Sequence, residues 1–175
     1  MPLLWLHDCC FVGPEKIKAR NGGAATARLL CVVTTRRDES GRYFRPPNER
    51  DLDAASKAAA HLSTLTKAHR DSLSLIPDEA VNPLPHSINR LPIYGMATWG
   101  DAFMPRQTLT LVMFTELVRR CRAKLVAYHD DGLVSAVQSV LALGVSRLAD
   151  ICNALCPWSS GMQQVQNLRS HSHPL

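Results

Sequence analysis

The feature that most constrains the fold is the stretch at residues 91–111, LPIYGMATWGDAFMPRQTLTL. Gly95 and Gly100 bracket an aromatic turn, and glycine adopts the positive φ angles that a side chain would penalise. Pro105 stands where a helix favours its first residue, because the N–H that proline lacks would be unpaired there. Apolar residues follow at helical spacing from Arg106 onward. A turn that leads into a long helix predicts a binding or docking site, with a purely structural corner as the alternative.

The composition is that of a folded protein. The 175 residues suffice for one domain, and a hydrophobic content of 46% suffices for a core. The apolar start, residues 1–6, is interrupted by Asp8 and follows no basic residue, so we expect no signal peptide. No apolar run approaches the roughly 18 residues of a membrane span. We therefore predict a cytoplasmic protein without a membrane partner.

The cysteines and histidines predict no metal site. The six cysteines lack the spacing of a disulfide framework, and without an export signal we expect reduced thiols. They are Cys9, Cys10, Cys31, Cys121, Cys152 and Cys156. Cys9 and Cys10 are adjacent, whereas zinc-binding cysteines of one segment stand about two to four residues apart. His7, His171 and His173 complete no set with workable spacing. No Ser/His/Asp order or glycine-rich phosphate loop marks a catalytic residue.

A β-hairpin and a first helix are predicted in the first half of the chain. Residues 28–35, RLLCVVTT, form a β-branched apolar run, and residues 41–44 can return as its partner across a polar turn. Asn48 is a plausible N-cap whose side chain can accept a hydrogen bond from the backbone amide of Asp51. Apolar residues at helical spacing then predict a helix that runs to about residue 70.

Two further helices are predicted after a loop. Residues 71–90 contain three prolines and no helical or strand period, which favours an extended loop. The helix that begins at Pro105 is predicted to reach about residue 128. The third helix, from 133 to about 153, is apolar nearly all round, which is typical of a helix buried at the centre of a protein. Arg147 and Asp150 lie three residues apart on it and can form an ion pair.

The predicted fold class is therefore α+β and mainly helical, with a short β-hairpin followed by three helices. We divide the chain into three regions. Residues 1–47 form an N-terminal segment with the hairpin, residues 48–158 form the helical region, and residues 159–175 form a disordered or divergent tail without periodicity.

The best polar candidates lie in the organising stretch. Trp99 and Asp101 belong to the aromatic turn, and Arg106 and Gln107 occupy the first turn of the following helix. Free backbone N–H groups at a helix start favour anions. The alternative is that these side chains cap the helix and anchor the loop.

Two segments resemble signatures of a known enzyme family. The sequence YGMATWGDAFMPRQTLTL is similar to Y-G-x-x-x-W-G-D-L-F-T-P-R-Q, found in large bacterial and archaeal adenine-specific DNA methylases that contain a zinc ribbon. SRLADICNALCPW resembles the S-R-L-A-D-Y-N-S-x-L-C-x-W of the same family, with Ile151 in place of tyrosine and Cys152 in place of asparagine. The resemblance covers about residues 12–167.

The chain departs from that family in its most important motifs. The cofactor-binding stretch, an acidic residue with F-x-G-x-G, is absent, and so are the catalytic D-P-P-Y and the zinc-ribbon cysteine pairs. The only Pro-Pro belongs to RPPN at residues 45–48. Met104 replaces the threonine that would cap the helix. The resemblance implies an internal piece of an α/β methyltransferase, between the cofactor-binding and catalytic motifs.

The resemblance further implies partners and site residues. The intact family uses S-adenosylmethionine to methylate adenine in DNA, whereas we expect no cofactor and no activity for this chain alone. DNA and the missing methylase portions are the implied partners. The implied residues near substrate or cofactor are Tyr94, Trp99, Asp101, Arg106, Gln107, Arg147, Asp150 and Trp158.

An alternative of another class remains open. The net charge of +5 permits a non-catalytic helical module that binds DNA or a partner protein through a basic surface. In either case the third helix needs neighbours on all sides, so we expect the chain alone to be poorly folded or self-associated.

Overall fold

The computed structural model describes residues 27–82, 91–126 and 131–166. Within them the chain is mainly helical, and the predicted order of a short hairpin followed by three helices is confirmed. The elements are β1 (Val32–Arg36), β2 (Glu39–Arg45), α1 (Glu49–Ala68), α2 (Pro105–Leu125), α3 (Asp131–Ile151), β3 (Trp158–Ser159) and β4 (Gln164–Val165). Two short 3₁₀ helices, Leu91–Tyr94 and Trp99–Ala102, precede α2.

The first hairpin pairs β1 with β2 in antiparallel fashion. Val33 lies opposite Phe44 and Thr34 opposite Tyr43, and a bulge shifts the register before Arg36 reaches Glu39. The predicted pairing is confirmed, although the first strand begins at residue 32 rather than 28. β-branched residues fill β1, as expected for a pleated surface.

Helix α1 begins with the predicted cap. The Asn48 side-chain oxygen accepts from the Asp51 backbone N–H at 3.1 Å, and the Asp51 carboxylate accepts from the Asn48 N–H at 2.8 Å. This reciprocal pair is a capping box. The Arg45 guanidinium also donates to both Asp51 oxygens, at 2.5 and 3.0 Å. Asp51 therefore joins the end of the hairpin to the start of the helix.

Helix α2 lies between the other two helices, since both α1 and α3 pack against it. The described residues of the loop before it, 69–82, form no helix or strand, as the prolines predict, apart from an isolated bridge at Ala80. Residues 83–90 of that loop, and residues 127–130 at the predicted end of α2, lie outside the described ranges.

The prediction that the third helix is buried at the centre is wrong. Val134 is buried against the rest of the protein, but Leu133, Val140 and Leu143 on the outer face are 58%, 68% and 69% exposed. A helix with apolar residues on all faces could be covered by neighbours on every side, but the pattern does not require that it is. Within the described residues, α2 covers the inner side.

Helix α3 also has the length and composition of a membrane span. Its best 18-residue window has a mean hydropathy of 1.5, and 6% of that window is buried. The sequence contains no uninterrupted apolar run of this length, because serine and glutamine residues divide it. Core helices of water-soluble proteins pass the same test, so the property identifies an apolar surface rather than its environment.

A second small hairpin occupies residues 158–165, where β3 pairs with β4. The Trp158 ring meets the Phe44 ring edge-on at 5.8 Å, and Arg42 donates to the Met162 carbonyl. The first part of the predicted tail is thus attached to the first hairpin. Residues 167–175 lie outside the described ranges.

The link between hairpin and helix predicts an acid-dependent loss of stability. The hydrogen bonds from Arg45 and then from the Asn48 backbone lower the pKa of Asp51 to about 2. Because this pKa lies below its ordinary value, the contribution to stability is present above about pH 4 and is lost as the pH falls toward 2. We expect the urea midpoint of Asp51→Asn to lie below that of the native chain at pH 6, with the gap closing between pH 4 and 2.

Two arginine variants provide the comparison. Arg45→Met removes the partner of Asp51 and should weaken the acid dependence in the same way. Arg42→Met removes an arginine of the same strand that binds the Met162 carbonyl instead, and should preserve it. Equal midpoints for Asp51→Asn and the native chain at pH 6 would contradict this account.

Candidate functional site

The stretch that dominates the sequence also supplies the main buried cluster. Leu91, Met96 and Ala102 are buried together with Val81, and Phe103 packs against them. Three of these four buried residues lie in the twelve residues from the start of the first 3₁₀ helix to the end of the second. We call this region, residues 91–104, the corner.

Backbone hydrogen bonds hold the corner against the loop before it. The Trp99 N–H donates to the Glu79 carbonyl at 3.2 Å, and the Val81 N–H donates to the Ala97 carbonyl at 2.8 Å. This pairing gives the backbone N–H groups of Trp99 and Val81 their hydrogen-bond partners.

The two glycines of the corner serve different purposes. Gly95 has a φ of +78°, which favours glycine as the sequence predicts. Gly100 instead permits close approach, because its N–H donates to the Pro77 carbonyl at 2.9 Å. A Cβ at residue 100 would lie 2.6 Å from that carbonyl oxygen and 2.8 Å from the Ile76 side chain.

Two of the predicted polar candidates have structural partners. The Asp101 carboxylate accepts from the backbone N–H groups of Ala97 and Thr98, each at 2.8 Å. The Gln107 side-chain oxygen accepts from the Met104 N–H at 2.9 Å. These bonds cap the second 3₁₀ helix and α2, which is the capping alternative considered from the sequence.

The aromatic candidates remain open to solvent. Tyr94 is 37% exposed, Trp99 is 46% exposed and Trp158 is 41% exposed. Trp158 contacts Phe44 in the first hairpin, so it lies beside β2. Tyr94 and Trp99 are the large side chains that the corner leaves exposed.

The second signature segment meets the corner through the end of α3. The Ala154 N–H donates to the Ala102 carbonyl at 2.7 Å, and Leu155 packs against the buried cluster. Burial and then the neighbouring Cys156 raise the pKa of the Cys152 thiol, whereas the charge of Arg106 lowers it. Arg106 therefore lies near the end of α3.

Arg147 and Asp150 form the predicted ion pair across one turn of α3. The Asp150 backbone carbonyl also accepts a hydrogen bond from the Cys156 thiol at 3.2 Å. The Arg147 side chain is 64% exposed. The Cys156 hydrogen bond, rather than the ion pair, therefore joins the turn after α3 to the end of the helix.

A groove beside the corner contains none of the predicted candidates. It has a volume of about 230 Å³ and a mainly apolar lining. The lining residues are Leu75, Pro77, Phe103, Thr108, Leu111, Val112, Thr115 and Ala149. The lining residues of α2 recur at helical spacing, so the sequence could have indicated that wall of the groove. The opposite wall comes from Leu75, Pro77 and Ala149, which lie in distant segments. The volume is below that of ordinary small-molecule pockets, about 300–1,000 Å³.

A basic cluster surrounds the end of α2. Asp71, just after α1, binds Arg119 at 3.3 Å, which brings the ends of α1 and α2 together. Six exposed cations belong to the cluster: Lys67, Arg70, Arg119, Arg120, Arg122 and Lys124. Asp71 pairs with Arg119 and Glu116 pairs with Arg120, so two of the six cations have a carboxylate partner. The sequence indicates the cations of α2, but only the packing adds those of α1.

Among the described residues, no group of three or more His, Cys, Asp or Glu side chains could hold a metal ion. Cys9, Cys10, His7, His171 and His173 lie outside the described ranges. Comparison of the chain with protein-family models, with curated proteins and with solved structures returned no match.

The contact at Gly100 predicts a strong effect of one methyl group. In Gly100→Ala the new Cβ would meet a backbone carbonyl, which cannot rotate away, so the loop and the corner must separate. We expect a loss of about 1–3 kcal/mol in the free energy of unfolding, measured by urea denaturation. The matched control is Gly161→Ala, whose Cβ meets nothing within 4 Å and which should change stability by less than about 0.5 kcal/mol. Equal stabilities of the two variants would show that the close approach is unimportant.

Proposed function

We propose that this chain is part of an S-adenosylmethionine-dependent adenine-specific DNA methyltransferase, the region between the cofactor-binding and catalytic motifs. The observation that carries the proposal is that the two segments with family resemblance meet. The Ala102 carbonyl of the first accepts from the Ala154 N–H of the second, although 52 residues separate them in the chain. No family match supports the assignment, so it depends on the signatures and on this meeting.

The roles of the signature residues support the proposal. In W-G-D-x-F-x-P-R-Q, the glycine permits close approach, the aspartate and glutamine cap helices, and the proline is the first residue of α2. With these structural roles, the motif specifies a corner that sets the direction of a helix. Trp99 and Tyr94 are then left exposed for contact with the remaining parts of the enzyme.

The chemistry of methyl transfer explains why the chain would be inactive alone. Transfer requires the methyl group of the cofactor and the exocyclic amine of a flipped adenine to be held in line. The nearest sequence to D-P-P-Y is RPPN, where Arg45 pairs with Asp51 and Asn48 caps α1. Both end residues of this segment thus have structural roles. The missing portions would supply cofactor and adenine binding.

The basic cluster favours a second candidate function. Six exposed cations and two carboxylates lie at the ends of α1 and α2, in a chain whose net charge is +5. Phosphate contacts require such a surface but no base-reading element. In this alternative the chain is a non-catalytic helical module that binds DNA through its backbone.

The methyltransferase proposal predicts that the isolated chain neither binds S-adenosylmethionine nor methylates DNA. Calorimetric titration should give no heat of binding at micromolar cofactor, and no radiolabelled methyl group should reach adenine. Adding the polypeptides encoded beside this reading frame should restore both activities if they carry F-x-G-x-G and D-P-P-Y. Micromolar cofactor binding by the chain alone, or neighbouring reading frames without either motif, would refute the proposal.

The alternative predicts weak DNA binding that is indifferent to sequence and falls with salt. Lys67→Gln and Lys124→Gln together should reduce the slope of log K against log salt by about 2, because each lysine neutralises one phosphate. Lys57→Gln removes the same charge on the first half of α1 and should leave the slope unchanged. Tight binding to one sequence that persists near 200 mM salt would contradict this mode, and fluorescence anisotropy distinguishes the outcomes.

A further inference from the structure

We draw no further inference here: the strongest candidate, the exposed aromatic patch of Phe44 and Trp158 where the two hairpins meet, carries nothing because the neighbouring Arg42 already donates to the Met162 carbonyl and nothing in the described residues shows what covers the two rings.

Discussion

The close approach of Gly100 to the backbone at Pro77 is the contact on which the rest of the structure depends. It lets the loop at residues 77–81 pair with the corner, and this pairing covers the buried cluster of Leu91, Met96 and Ala102. The corner in turn leads into α2, against which both other helices pack. A side chain at residue 100 would affect all of these at once, since interiors close-pack and transmit strain.

The structure changes how the signature residues are understood. Conspicuous polar side chains such as Asp101 and Gln107 suggest a binding site, but each accepts a backbone hydrogen bond at the start of a helix. These two side chains therefore stabilise the backbone conformation of the corner. A partner would instead contact Trp99 and Tyr94, which the corner holds at the surface.

The described part of the chain leaves much apolar surface exposed. Within the described residues, no large side chain is less than 2% exposed, whereas the outer face of α3 exposes Leu133, Val140 and Leu143. Burying such a side chain contributes about 1.5–3 kcal/mol, and a typical domain has a net stability of about 5–15 kcal/mol. Covering even a few of these residues would be a large gain. Association with another polypeptide is a direct way to obtain it.

The sequence by itself determined the local features, since each depends on residues at most four apart. The capping of α1 by Asn48, the start of α2 at Pro105 and the Arg147–Asp150 pair follow from backbone amides and side chains that are neighbours in any helix. Only the tertiary structure decided that α3 lies outside, since helical periodicity shows which faces are apolar but not how many neighbours are available. Only the structure, too, joined Ala154 to Ala102 and the end of α1 to Arg119, because contacts between distant segments depend on how whole elements pack.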